Sequence, residues 1–205
     1  MLPSGLENSI ELRLGHFYLI LAPRRIGRSL MNALAARLSL AGPVLVLDGG
    51  NAFDAHGIAR QVRRQTVEMP AALGRLRVSR AFTCHQMVAM LGASLACKPI
   101  PGQQPVLALD LLATFLDENE NLRERTRLLG QAIGYLQRLS SAAALAVSVT
   151  SSPTPEVEPP SGWPLGMPGI LAAPPPAMMT MLEAAADEIV RYEYPQPVVQ
   201  QPRLF

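Results

Sequence analysis

Apolar residues change period repeatedly along the chain, and each change marks a new element. His16–Leu21 is a short continuous apolar run, the pattern of a strand buried on both faces. Over Ser29–Leu40 the spacing widens to threes and fours, with Leu30, Ala33, Leu34, Leu38 and Ala41 on one helical stripe. Pro43–Asp48 reads as a second buried strand, broken by Gly49-Gly50. Asp54–Val67 predicts a helix, Leu76–Val78 a short strand, and Thr83–Ala96 a helix with Met87, Met90 and Leu91 inward. Beyond a Pro-Gly turn at 101–102, Pro105–Asp110 repeats the buried-strand pattern. Glu118–Ser140 is the longest helical stretch, carrying Leu122, Leu129, Ile133, Leu136 and Leu139, and Leu145–Thr150 is a further strand. Strands alternating with helices at this spacing imply right-handed crossovers and a mostly parallel sheet covered on both faces, an α/β domain in three layers.

After Thr150 the character shifts. Ser151–Pro176 holds nine prolines and three glycines in 26 residues, too many for regular structure. It reads as a loop packed over one end of the sheet or as an arm, and Trp163 within it suggests a docking contact. Met178–Ala186 predicts a helix and Glu188–Glu193 an edge strand. The organisation expected is a lead over 1–13, one domain over 14–194 and a proline-containing tail over 195–205. No internal repeat is visible.

Composition narrows the class. Of the 205 residues, 49% are hydrophobic and 17% charged, enough apolar material for a chain of this length to bury roughly 70% of its unfolded surface. No apolar run approaches the ~20 residues of a spanning helix. Met1–Glu11 lacks a basic start and carries two acids, unlike a secretory signal. The expectation is a soluble intracellular protein, cytoplasmic or associated with DNA in the nucleoid or nucleus, with no membrane partner. Cys84 and Cys97 read as thiols in a reducing compartment, since His85 beside Cys84 falls short of four zinc ligands. The net charge of +2 does not by itself announce nucleic acid. Its distribution is less even: arginines recur at 60, 63, 64, 75, 77 and 80 with Glu68 the only acid among them. Such a cluster either follows phosphates or forms a solvated helix face. Arg63, Arg64 and Arg75 are the candidate DNA-binding residues.

The turn after the first strand carries the sharpest chemistry. Ala22-Pro23-Arg24-Arg25-Ile26-Gly27-Arg28-Ser29 lies between a strand and a helix, the context of the phosphate-binding loop G-x-x-x-x-G-K-S/T. Gly27 and Ser29 match; Ala22 replaces the first glycine and Arg28 the lysine. Amides at the start of the following helix would face an anion, and the Ser29 hydroxyl would face magnesium. A guanidinium is planar and longer than an ammonium, so Arg28 is expected to hold ground-state phosphate and to fit a transition state poorly. A plain βα turn is the competing reading. Asp110, closing the strand Pro105–Asp110, sits where an acid would support magnesium through water, or where it would cap the next element. Ala22 through Ser29 with Asp110 are thus the candidate nucleotide-binding residues, Ser29 and Asp110 the candidate metal-associated ones. No residue is assigned as catalytic.

Longer stretches resemble a family. Val78-Ser79-Arg80-Ala81-Phe82-Thr83-Cys84-His85-Gln86 is similar to the segment A-R-A-F-x-x-x-H-Q that precedes a helix in RecA-like recombinases of the archaeal and eukaryotic branch. Val46–Phe53 resembles their I-D-T-E-G-T-F. Leu107–Asp110, the arginine-rich helix after it and Val147–Thr150 resemble their acidic strand, helix and following strand. The likeness spans roughly residues 14 to 152 and agrees in order and spacing. It implies a RecA-like P-loop NTPase fold, ATP or ADP with magnesium held weakly, and a place in DNA repair or recombination.

Three departures bear on activity. The family's water-activating glutamate corresponds to Gly50, its γ-phosphate-sensing glutamine to Ser152, and its loop lysine to Arg28. Asp48, two residues before Gly50, points to the other side of the strand end. Losing a general base alone typically costs 10²–10⁴ in rate. The resemblance therefore implies an ATPase-deficient paralogue, or an accessory subunit that keeps the fold without nucleotide and regulates a true ATPase. Met1–Leu14 shows no counterpart of the family's helical domain and filament-linking strand. A heteromeric complex with a protein partner is the expected assembly, contacted through Thr83–Ala96, Met178–Ala186 or the Trp163 segment.

Overall fold

The computed structural model describes residues 10–96, 104–116, 120–151 and 174–193. Cys97, Ser152, Trp163, nearly all of the proline-rich segment and the 195–205 tail lie outside them, as does most of the N-terminal lead. Six strands form one all-parallel sheet: β1 (Phe17–Ala22), β2 (Val44–Asp48), β3 (Leu76–Arg80), β4 (Val106–Leu109), β5 (Leu145–Thr150) and β6 (Glu188–Arg191), in spatial order β3-β2-β4-β5-β1-β6. Helices cover both faces, which makes the three-layer RecA-like α/β arrangement. The apolar runs explain why the central strands sit inside: every residue of β1 and β4 is buried.

One face carries α1 (Arg24–Ala41), α2 (Ala55–Arg63) and α3 (Met69–Gly74), packed with Tyr18, Ile20, Val44, Val46 and Leu107. The other carries α4 (Cys84–Ala96), α5 (Leu122–Ser140) and α6 (Pro176–Ala185), packed with Phe17, Leu19, Leu47, Ala108 and Val147. Alternate residues of each strand feed the two cores, as a period of two requires. Asn121 caps α5 by accepting from the Glu124 amide at 2.8 Å, and Glu124 pairs with Arg127 one turn on.

Several helix boundaries differ from the expectation: α5 begins at Leu122 and not at Glu118, and α6 spans Pro176–Ala185 and not Met178–Ala186. The helix predicted over 54–67 is α2 alone, ending at Arg63. There the amides of Arg64 and Gln65 turn back to Gln61 and Val62 carbonyls three residues earlier, and α3 restarts at Met69 with Pro70 in its first turn. The helix predicted from Ser29 begins at Arg24, five residues earlier. A one-turn 3₁₀ helix at Leu111–Phe115, not foreseen, turns the chain inward behind Asp110.

Candidate functional site

The carboxyl ends of β1, β5, β4 and β2 meet at one edge of the sheet, where open parallel sheets bind their ligands. Ala22, Thr150, Asp110 and the Asp48–Phe53 turn come together there. The strand order places a single strand, β5, between the ends of β1 and β4.

The segment expected to be a phosphate-binding loop is not a loop. Pro23 alone connects β1 to α1, with φ −54° already set near the helical value and no side-chain cap. The Gly27 amide donates to the Pro23 carbonyl at 2.9 Å, an ordinary helical bond, so it no longer points outward. Gly27 packs on the strand end, since a Cβ there would lie 3.5 Å from that of Ala22. Arg24, Arg25, Ile26, Arg28 and Ser29 therefore all sit in the first two turns of α1. Only the earliest amides of that helix lack an intrahelical partner.

Asp110 stands in the left-handed region, φ 48° and ψ 55°. Its amide donates to the Ser148 hydroxyl at 2.9 Å, and its Oδ1 accepts from the Thr150 amide at 3.1 Å and the Thr150 hydroxyl at 3.0 Å. Oδ2 is buried with no hydrogen-bond partner. Burial pushes the carboxyl above its ordinary value, and the Thr150 hydrogen bonds and the Arg24 charge pull it only part of the way back. A cavity of about 10 Å³ lies between Asp110, Thr150, Ala22, Arg24 and Gly27. It has room for roughly one water molecule.

Gly50 meets this carboxylate. Its φ is not positive, so close approach and not backbone conformation calls for glycine. A Cβ at Gly50 would lie 2.4 Å from the Asp110 Cβ and 2.5 Å from Oδ2. The Gly50 carbonyl accepts from Arg24 at 3.4 Å. The space a glutamate side chain would leave from is thus filled by Asp110 itself.

Asp48 is fully buried and fully engaged. Oδ1 accepts from the Ala52 amide at 2.8 Å, and Oδ2 from the Phe53 amide at 3.3 Å and from Arg80 Nε at 3.0 Å. Each oxygen helps to hold the 49–53 turn or the end of β3, and the carboxylate is fully buried, so it does not face a water it could activate. Asn32, not singled out in the sequence, makes the matching link from α1. Nδ2 donates to the Arg28 and Ala52 carbonyls at 2.7 and 2.8 Å, and Oδ1 accepts from the Asp54 amide at 2.9 Å. Its signal was a lone polar residue inside the otherwise continuous apolar run Leu30–Ala36.

Beside this edge, a larger groove of about 500 Å³ runs between α1 and α2, lined by Arg25, Arg28, Ser29, Asp54, Arg60 and Arg64 among others. Arg28 lines both the groove and the small cavity. Ser29 lines only the groove and Asp110 only the cavity, so the two residues expected near magnesium are not brought together. Among the described residues, no group of three or more His, Cys, Asp or Glu is placed to hold a metal ion. With the Gly27 amide closed and the cavity this small, the residues do not fit the nucleotide–magnesium complex that the loop pattern implied.

The candidate DNA-binding arginines separate. Arg64 faces the groove; Arg63 is exposed outside its lining. Arg75 caps the end of α1, donating to the Ser39 and Leu40 carbonyls at 3.1 and 2.8 Å. No helix among the described residues is long and apolar enough to cross a membrane. No family model matches the chain, and no curated protein matches it significantly.

Proposed function

We propose that the chain is a non-hydrolysing paralogue of the RecA-like recombinases that serves a DNA-repair or recombination assembly without turning over nucleotide. The observation carrying this reading is the contact of Gly50 with Asp110, a Cβ at Gly50 lying 2.4 Å from the Asp110 Cβ. It leaves no place for a water-activating carboxylate at position 50, just beyond the end of β2. The early start of α1 supports it further, because the Gly27 amide is spent inside the helix. Three ligand-facing positions are thereby turned to internal packing. A protein partner in a heteromeric complex would then supply any hydrolysis the assembly needs, with the present chain acting as scaffold.

The test is ATP turnover by purified protein, with and without single-stranded DNA, for wild type and for Arg28→Lys combined with Gly50→Glu. Turnover is expected to be at background in both, since the restored glutamate would collide with Asp110. A DNA-stimulated rate of about 1 s⁻¹, in the ordinary enzyme range, would refute the reading.

A second reading, an interaction subunit that binds no nucleotide at all, is favoured by the cavity of about 10 Å³ beside Asp110. Equilibrium dialysis with ATP and ADP, with and without magnesium, separates the two.

A further inference from the structure

We propose that the groove between α1 and α2 binds the phosphodiester backbone of a nucleic-acid strand. The sequence presents its arginines as two unrelated groups, one in the loop-like motif and one in the 60–80 cluster. The fold merges them. Arg25 and Arg28 are three apart on α1, Arg60 and Arg64 four apart along α2 and its C-cap, and all four line the same groove. Residues at these spacings share a helix face, so each helix presents a pair of guanidinium groups to the space between them.

Among the described residues, charge compensation is missing at this surface. Neither α1 nor α2 contains an acidic residue. The ion pairs among the described residues join Arg80 to Asp48, His85 to Glu120, Arg127 to Glu124 and Arg191 to Glu183, none of them in the groove. Asp54 is the sole acid of the lining, and its Oδ1 is occupied at 2.9 Å by the Gly57 amide that starts α2. Four exposed guanidinium groups with no internal partner repel one another until an anion enters, and the planar fork of arginine suits phosphate oxygens.

The lining also says what is not recognised. Among the described residues it has no aromatic side chain on which a base could stack, and of its two side-chain amides Asn32 has spent both ends on the protein, leaving Gln61 alone beside four arginines. Contacts of this kind read phosphates and ignore base identity. A backbone threaded past α1 and α2 matches that chemistry better than a free nucleotide, whose base would find no partner. The setting in nucleic-acid metabolism rests on the function proposed above, but the readout here is binding and not turnover, so either can fail alone.

The test is fluorescence anisotropy of a labelled oligothymidylate, and of a duplex of equal length, titrated with the full chain at several salt concentrations. Sequence-insensitive binding that weakens steeply with salt is expected for wild type. Arg60→Ala with Arg64→Ala removes two contacts, so the slope of log K against log salt should become shallower by roughly 1.4 on the single strand, at about 0.7 per phosphate. Arg25→Ala with Arg28→Ala should do the same. The Arg→Lys versions of either pair should keep most of the slope. Arg123→Ala with Arg138→Ala removes equal charge from α5 on the opposite face, where both arginines are exposed, and should change nothing. Equal losses from the α5 pair, no binding by wild type, or displacement by ATP at matched phosphate concentration would each overturn the proposal. The preferred probe, strand or duplex, identifies which form of backbone the groove takes.

Discussion

Replacing Gly50 with alanine probes the contact on which the functional reading turns. The new methyl group would sit 2.4 Å from the Asp110 Cβ and 2.5 Å from Oδ2, far inside any tolerated separation. The obstacle is not a flexible tip. Asp110 is held by its αL backbone and by two hydrogen bonds from Thr150 at 3.0 and 3.1 Å, so the methyl must push against a short, tethered side chain. Overpacking of this kind costs about 1–3 kcal/mol, and weakening a hydrogen bond to a carboxylate adds about 1–2 kcal/mol more. The expected loss is about 2–5 kcal/mol, which for a domain of this size lowers Tm by roughly 4–20 °C. Urea unfolding of Gly50→Ala, Asp110→Gly and the double variant forms a cycle. Asp110→Gly removes the colliding atoms and tolerates the left-handed backbone, so the cost of Gly50→Ala should largely vanish in that background, with a coupling of about 1–3 kcal/mol. Additive single effects, or a Gly50→Ala variant within about 0.5 kcal/mol of wild type, would refute the geometry and with it the claim that position 50 has no room for a catalytic carboxylate.

Asn32→Ala should cost about 2–4 kcal/mol in thermal or urea unfolding, because it strands the buried Ala52 carbonyl and the Asp54 amide. Asp110 should shape the acid limb of stability. Burial raises its pKa above the ordinary 3.8, so the folded state holds the proton more tightly than the unfolded chain. That contribution is fully present below the unfolded value and is lost as pH rises through the folded one. The stability of wild type relative to Asp110→Asn should therefore fall as pH rises above the unfolded value of 3.8, as chemical unfolding at a series of pH values would show. Arg75→Ala should lower Tm slightly, through loss of the Ser39 and Leu40 carbonyl contacts, and leave the salt dependence of oligonucleotide binding unchanged.

The sheet was legible because buried strands announce themselves. Phe17–Ala22 and Val106–Leu109 are uninterrupted apolar runs, Val44–Asp48 and Leu145–Thr150 are broken only by Asp48 and by Ser148 and Thr150, and all four form the centre of the sheet. Helix boundaries were less legible, because they are decided by caps and carbonyl geometry that periodicity does not encode. Residues 24–28 show this best: Arg24, Arg25 and Arg28 are good helix formers, yet the Gly27-Arg28-Ser29 match to a phosphate loop argued for irregular backbone. Pro23 settles the competition, since one residue with φ near −54° leads directly from strand to helix. The arginine cluster over 60–80 was visible as a cluster but not as a surface. Folding sends Arg75 to a helix end and Arg80 to Asp48, and it brings Arg60 and Arg64 to face Arg25 and Arg28.

Loss of chemistry and persistence of fold have a common physical cause at the sheet edge. A ligand-binding edge leaves polar atoms unsatisfied until the ligand arrives, a standing cost in a protein stable by only about 5–15 kcal/mol. Here those atoms have found partners within the chain. The Gly27 amide bonds to Pro23, Asp48 takes the Ala52 and Phe53 amides with Arg80, and one Asp110 oxygen takes both donors of Thr150. Among the described residues, what stays open is one buried oxygen of Asp110 and the four guanidinium groups of the α1–α2 groove, with Arg28 lining both places. On the function proposed above, the unmet polar demand lies on the outer α1–α2 surface and not at the strand ends, and a domain so arranged would hold a charged strand and would not cleave a phosphoanhydride.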